Sequence, residues 1–335
     1  MATVMSSAAF GAASGSTIVN AAVFTKIAMP EMTRFGYYVR LSAGCIAAAG
    51  TLAALIPPSI LMVVYGVITE QSIGKLLIAG IVPGVLTALI YCAGIYVIAR
   101  WRPDLAPLAD ISITWAQRWR SLYGVSGIAL LFVLVVGGIY GGFFAPTYAG
   151  AVGAFGAFLI VLAKRRLSYG SLVEALKDAT VTTSVIFIIV VGGILFSRFL
   201  TYSGLVTTIS TALLAIGTSK YLYLFGFVLL FAVLGCIIEP IAIMVMTLPI
   251  MFPVMVKAGF DPIWLGVVSV KLAEIGVLTP PVGLNVFVVK SSSPVPITLG
   301  QAFTGVTPFI LLDFLSLGLY VAFPEMILWL PNLMS

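Results

Sequence analysis

The chain has 335 residues, of which 61% are hydrophobic and only 8% charged, against about 25% charged in soluble domains. A soluble fold of this length could not hide so much apolar surface, so lipid must be the solvent for most of the chain. The net charge of +6 is not a nucleic-acid footprint: the basic residues stand at the ends of apolar runs, where the positive-inside rule places them, and no nucleic-acid partner is expected.

Other chemistries are excluded by what is absent. The sequence contains no histidine, which argues against a His-based catalytic triad, zinc site, haem or imidazole proton relay. Cys45, Cys92 and Cys236 each lie inside an apolar run and read as small hydrophobes rather than disulfide or metal partners. Neither a P-loop nor a Rossmann glycine fingerprint is present, so no cofactor and no enzyme activity are expected. Coupling to an ion gradient is the natural alternative to an ATP engine.

In chain order, the opening MATVMSSAAFGAASGS has no charged stretch before a compact apolar one, so it does not read as a signal peptide. About 20 apolar residues are needed to cross a bilayer. Candidate spans are 77–99, 124–142, 146–163, 181–201 and 301–323. The stretches 1–30, 39–69 and 220–292 are apolar but interrupted by Gly, Pro, Ser and Thr, which predicts broken or re-entrant helices. Residues 100–123 and 167–180 read as surface helices or loops. Arg34, Arg40, Arg100, Arg102, Arg118, Arg120 and Lys164-Arg165-Arg166 mark the cytoplasmic side. The C-terminal PEMILWLPNLMS has no Lys or Arg and fits the outside.

An internal repeat organises these segments. At a constant offset, Pro30 matches Pro253, Gly36 matches Gly259, and Pro57-Pro58 match Pro280-Pro281; after a two-residue shift, Gly80 and Pro83 match Gly305 and Pro308. Three spans separate the copies, and this odd number inverts the second. The expected organisation is a first inverted repeat at 1–100, connecting surface helices and scaffold spans at 101–219, and a second repeat at 220–335. Inverted repeats with interrupted helices are a transporter architecture, with substrate and ions bound near the midplane. The segment 220–236 and the span 181–201 lack counterparts in the first copy, so a complete molecule is expected to carry roughly three more helices.

Several residues within this frame are candidates for chemistry. Ser14-Gly15-Ser16-Thr17 lies between two apolar stretches. At a re-entrant tip it offers side-chain and backbone oxygens to a hard cation such as Na⁺; alternatively, its small residues serve close helix packing. Pro57-Pro58-Ser59 and Thr279-Pro280-Pro281-Val282-Gly283-Leu284-Asn285 interrupt apolar runs. Each Pro-Pro removes two helical donors and frees upstream carbonyls, which with Thr279 and Asn285 suit a cation, while the next half-helix offers N–H groups to an anion; a simple kink is the alternative. Ionisable groups within apolar surroundings default to functional hypotheses, and here these are Glu239, Lys271, Glu274 and Asp313. Lys271 and Glu274 are three apart, so mutual neutralisation on one helix face is the simplest expectation. Glu239, at a hairpin turn opposite Ser14–Thr17, is the better functional candidate. Asp313 is left open.

The segments FGAASGS, AMPEM, GTLAALIPPS, GKLLIAGIVPG, GGIYGGFFAPTYAGAVGA and EIGVLTPPVGLNVFV, in order from about residue 10 to 332, resemble the large membrane subunit (DctM-like) of tripartite ATP-independent periplasmic (TRAP) transporters. The resemblance implies an all-α polytopic, elevator-type carrier with re-entrant hairpins and Pro-Pro-broken helices in the bacterial inner membrane. Its implied partners are a small four-helix membrane subunit and a soluble periplasmic substrate-binding protein. The implied substrate is an organic acid, a C4-dicarboxylate or other carboxylate, imported with Na⁺ as coupling ion. Ser14, Gly15 and Ser16 with Pro57, Pro58 and Ser59 would form one sodium site, and Glu239 with Thr279, Pro280, Pro281, Gly283 and Asn285 the second; Ser14, Ser16, Thr279 and Asn285 would be the Na⁺ ligands, with substrate between the sites. Family members carry about 90 more residues before the SGS hairpin. The alternative expectations are a stand-alone elevator-type anion/Na⁺ symporter without a binding protein, and a non-transporting fragment.

Overall fold

The computed structural model describes residues 1–107, 114–115, 126–145, 148–205, 207–208, 211 and 219–333. Arg118, Arg120, most of the surface segment expected at 100–123 and a few residues of the spans 124–142 and 146–163 lie outside them. The described residues are helical, with no strand among them. Helices α1 (Ala2–Ser14) and α2 (Thr17–Arg34) form a hairpin. They are followed by α3 (Val39–Leu55), α4 (Ile60–Thr69), α5 (Ile73–Ala79) and α6 (Ile81–Trp101). The middle of the chain holds α7 (Ser126–Gly137), α8 (Ala149–Ala163) and α9 (Tyr169–Tyr202). A second hairpin, α10 (Lys220–Gly235) and α11 (Pro240–Lys257), leads into α12 (Pro262–Gly276), α13 (Leu284–Ser292), α14 (Leu299–Ala322) and α15 (Glu325–Asn332).

Among the described residues, four helical segments are long and apolar enough to cross a bilayer, Ile73–Trp101, Tyr169–Tyr202, Pro240–Lys257 and Leu299–Ala322, while Ser126–Gly137 and Ala149–Ala163, within the spans expected at 124–142 and 146–163, are shorter apolar helices. The pair α3 and α4 passes the same test as one span bent by 43°. The interruptions expected in 1–30, 39–69 and 220–292 are present as breaks at Gly15, at Ile56–Ser59, around Cys236–Glu239 and at Val277–Gly283. Residues 167–180, expected as a separate surface helix or loop, are instead part of a longer helix. Ser168 caps a single helix that runs on to Tyr202, because no proline interrupts it. At about 1.5 Å per residue its 34 residues rise about 51 Å, well beyond the roughly 30 Å hydrocarbon layer. The charged Glu174, Lys177 and Asp178 therefore extend the helix rather than end it. Almost all its apolar side chains face outward, Phe187 and Ile188 among them, as befits contact with lipid. Cys45 is buried, whereas Cys92 and Cys236 are only partly so.

The same element order occurs on both sides of the middle segment: hairpin, broken helix, long helix. Gly36 and Gly259 end the two hairpins with positive φ of 79° and 89°, and both Pro-Pro bonds are cis. The packing is crosswise. Half-helix α4 packs on α11 of the second hairpin, and half-helix α13 packs on α2 of the first. Between them, α3 and α12 touch and form the centre. All residues of α3 from Leu41 to Leu55, and of α12 from Trp264 to Gly276, are buried. A helix without an exposed stripe must be enclosed on all sides, and the Ala, Gly and Ser residues of α3 let its neighbours approach closely.

A polar knot ties this centre to the long helices. Lys271 of α12 and Asp313 of α14 form a fully buried ion pair. The same Asp313 oxygen accepts from the Tyr91 hydroxyl of α6 at 2.6 Å, and Tyr91 meets the Thr51 hydroxyl of α3 at 3.5 Å. Lys271 therefore does not neutralise Glu274, its neighbour three residues on. Asp313 comes from a separate helix and makes a direct contact, and the two oxygens of Glu274 have no hydrogen-bond partner. Removing one member of a buried pair strands the other charge and costs about 3–5 kcal/mol, whereas replacing both with apolar groups is close to neutral. Asp313→Ala should therefore lower stability by about that amount, and Lys271→Met/Asp313→Leu should recover most of it. Thermal unfolding in detergent measures both; a double variant no better than the single would refute this account of the pair.

Candidate functional site

Each hairpin tip is built by local rules. Gly15 ends α1 in the left-handed conformation (φ 62°, ψ 4°), its N–H returning to Gly11 O, a glycine helix end. Ser16 then turns extended and caps α2, its Oγ accepting from Val19 N at 3.4 Å. At the second tip Glu239 takes the capping role, with Oε2 accepting from Ala242 N at 3.2 Å, and Pro240 opens α11, a position where a missing N–H costs nothing.

The helix breaks are stitched to these tips. Ile60 N–H donates to Gly15 O at 3.4 Å, and Val282 N–H donates to Cys236 O at 3.2 Å. A Cβ on Gly15 would lie 2.6 Å from Pro58 O, so only glycine fits there. Behind the second tip, Gly235 meets Gly276 so closely that a Cβ on Gly235 would stand 2.8 Å from its Cα. Gly11 has the same relation to Ala53, also at 2.8 Å. Side-chain and main-chain bonds close the two breaks. Ser59 Oγ donates to Ala54 O at 2.5 Å and accepts from Met62 N at 3.2 Å. Thr279 Oγ1 donates to Ile275 O at 2.6 Å. Asn285 N–H crosses the second break to Val277 O at 3.1 Å, and its Nδ2 reaches Ala47 O of α3 at 3.4 Å.

A cavity of about 60 Å³ lies where the two tips meet. Three helix N-termini line it: Ser16, Thr17 and Ile18 of α2, Ile60 and Leu61 of α4, and Pro240 and Ile241 of α11. Gly15, Glu239, Ala54 near the end of α3, and Glu274 and Val277 at the end of α12 complete the wall. Each N-terminus carries about half a positive charge; the Glu239 carboxylate already meets that of α11, so the ends of α2 and α4 are the ones that favour an anion. Glu274 is 2% exposed and both its oxygens are unpartnered, a state that a proton or a cation would relieve.

Of the residues singled out in the sequence, Gly15, Ser16, Thr17, Glu239 and Glu274 reach this cavity. Ser14, Pro57, Pro58 and Ser59 stand directly behind the first tip. Thr279, Pro280, Pro281, Gly283 and Asn285 form the second break without lining the cavity, and Pro280 and Pro281 are exposed. Among the four proposed Na⁺ ligands, Ser14 Oγ and Asn285 Oδ1 are buried oxygens with no partner, whereas the Ser16 and Thr279 hydroxyls are engaged in local hydrogen bonds. Sequence reasoning missed Glu274 as a cavity residue. The signal, a carboxylate one turn before the Pro-Pro break, was overshadowed by Lys271 beside it.

The family model for the tripartite ATP-independent periplasmic transporter, DctM component, matches residues 1–326. The chain belongs to the DctM family. This DctM chain is 38% identical over 337 residues to a C4-dicarboxylate TRAP transporter large permease protein of Pseudomonas aeruginosa, an alignment covering 99% of the chain and 77% of that protein. It is 31% identical to a sialic acid TRAP transporter large permease protein of Vibrio cholerae, covering 98% and 76%. It is 35% identical to an isethionate TRAP transporter permease protein of Oleidesulfovibrio alaskensis, covering 86% and 45%. This DctM chain is thus a large permease subunit of a transporter. A left-handed backbone costs a non-glycine residue roughly 1–2 kcal/mol, to which the clash with Pro58 O is added. Gly15→Ala should therefore loosen the first tip alone. Amide hydrogen exchange is expected to rise around Ser16 and Ile60 and to stay unchanged around Cys236 and Val282; an equal rise at both tips would contradict local stitching.

Proposed function

We propose that this DctM chain carries an organic acid across the bacterial inner membrane by symport with Na⁺, as the permease of a transporter rather than as an enzyme. The observation that carries the proposal is the convergence of three half-helix N-termini on one cavity between the hairpin tips. N–H ends of broken helices suit a carboxylate, and carbonyl and side-chain oxygens at the breaks suit Na⁺. The unpartnered oxygens of Ser14 and Asn285 support cation sites at the two tip-break junctions, with Ser16, Thr17, Gly15, Pro57, Pro58 and Ser59 around the first, and Glu239, Thr279, Pro280, Pro281 and Gly283 around the second. Binding Na⁺ with the acid lowers the net charge that must move through a low-dielectric medium.

In this reading the two copies of hairpin, broken helix and long helix are inverted repeats, and the tips and breaks move together as the carrying body of an elevator. A periplasmic substrate-binding protein delivers the acid, and a small membrane subunit completes the complex. The relatives' names carry a C4-dicarboxylate, sialic acid and isethionate, each bearing an acidic group. This supports an anionic substrate and leaves the particular acid to the binding protein. The test is uptake of a labelled C4-dicarboxylate into proteoliposomes holding the chain with its small subunit and loaded binding protein. Uptake is expected only with an inward Na⁺ gradient, and Asn285→Ala or Ser16→Ala should raise the Na⁺ concentration needed for half-maximal uptake several-fold. Full uptake without Na⁺ would overturn the coupling, and uptake without the binding protein would favour a stand-alone symporter.

A further inference from the structure

Away from the central cavity, the outer faces of α6 and α14 leave a groove. Two adjoining hollows of about 380 and 440 Å³ share Val97, Ile98 and Pro308 as lining residues. The small residues Ala93, Gly94 and Gly305 contribute no bulk to fill it, and the remaining wall is almost wholly apolar. From Thr304 to Leu315 the groove follows α14 for twelve residues, a rise of about 16 Å at about 1.5 Å per residue. That is half of the roughly 30 Å hydrocarbon layer, the depth of one leaflet.

One end of the groove is different. Tyr38, Arg40, Trp101 and Arg102 gather there, and Trp101 is 79% exposed, as interfacial aromatics are. Arg102 is already held by Asp104 through two hydrogen bonds of 3.1 and 2.9 Å. Arg40 is not held: among the described residues it has no carboxylate partner, and its Nε is buried without a hydrogen bond. Its guanidinium lies 5.4 Å from the centre of the Tyr38 ring. Arg40 also sits in the first turn of α3, which has no acidic residue there and no side-chain cap, so its charge adds to the positive end of the helix. The groove thus pairs a leaflet-deep apolar trough with an uncompensated cation at its mouth.

We propose that this groove binds an anionic phospholipid, its phosphate on Arg40 and one acyl chain between α6 and α14. The site is independent of the substrate cavity and of the coupling ion. Basic pockets between membrane helices recognise lipid headgroups through the same pairing of charge and depth. The test uses the purified full chain in detergent, with phosphatidylglycerol, phosphatidylcholine or inorganic phosphate added, read by native mass spectrometry and thermal unfolding. Phosphatidylglycerol should remain bound and raise the unfolding temperature, and the other two should not. Arg40→Gln should weaken phosphatidylglycerol binding about five-fold, the effect of one interfacial arginine, and Arg40→Lys should restore most of it. Ala93→Phe, at an exposed position in the groove, should abolish binding with Arg40 intact. Equal binding of phosphatidylcholine, stabilisation by phosphate alone, or unchanged binding in both Arg40→Gln and Ala93→Phe would overturn the proposal. So would crosslinking of the co-purified small subunit to a cysteine placed at Ala93, which would make the occupant a protein helix.

Discussion

A polypeptide in lipid must pair its own backbone groups, because no water is present to do so. Two buried helices of this protein are nevertheless broken by Pro-Pro, and the architecture follows from how those breaks are satisfied. Each break receives a hairpin tip: Gly15 O takes the Ile60 amide and Cys236 O takes the Val282 amide. Ser59 Oγ and the Asn285 and Thr279 amides bond to the carbonyls of Ala54, Val277 and Gly276 that the prolines leave behind. The tips therefore cannot lie elsewhere, and bringing both to the middle of the molecule creates the cavity between them.

The close approach needed for this stitching explains the glycines around it. Gly235 and Gly276 touch backbone to backbone, and Gly11 meets Ala53 in the same way. Crosswise packing then joins the halves, since α4 lies on the second hairpin and α13 on the first. A displacement of either hairpin must move the broken helix that its tip serves, together with the half-helix of the other copy. Such linkage is what a carrier needs if substrate and ions are to travel with one body.

The central electrostatics divide into a structural part and a part left open. Lys271, Asp313, Tyr91 and Thr51 are joined in one chain of contacts across four helices, and this knot holds α12 against α14 and α6. Because Lys271 makes its direct contact with Asp313, Glu274 is left without a hydrogen-bonded partner in a wall shared with Glu239 and three helix N-termini. A buried carboxylate in that position is costly unless a cation or proton reaches it. The cavity thus sets positive helix ends beside a buried carboxylate, so groups of both signs meet in one wall.

Much of this was legible in the residues themselves. Low charge and long apolar runs determined that the solvent is lipid. Pro57-Pro58, Pro280-Pro281 and Gly15 determined where helices stop, because a missing N–H or a left-handed backbone acts within a few residues. The repeated landmarks determined that one element order occurs twice. Contacts between helices were not legible. The pairing of Lys271 with Asp313, the isolation of Glu274, the seating of Asn285 on α3 and the continuation of α9 through 167–180 were decided only by the tertiary structure. The physical reason is that α3 and α12 are buried on every side: without an exposed face there is no stripe in the sequence to say which neighbour each side meets, and that choice falls to the packing of surfaces distant along the chain.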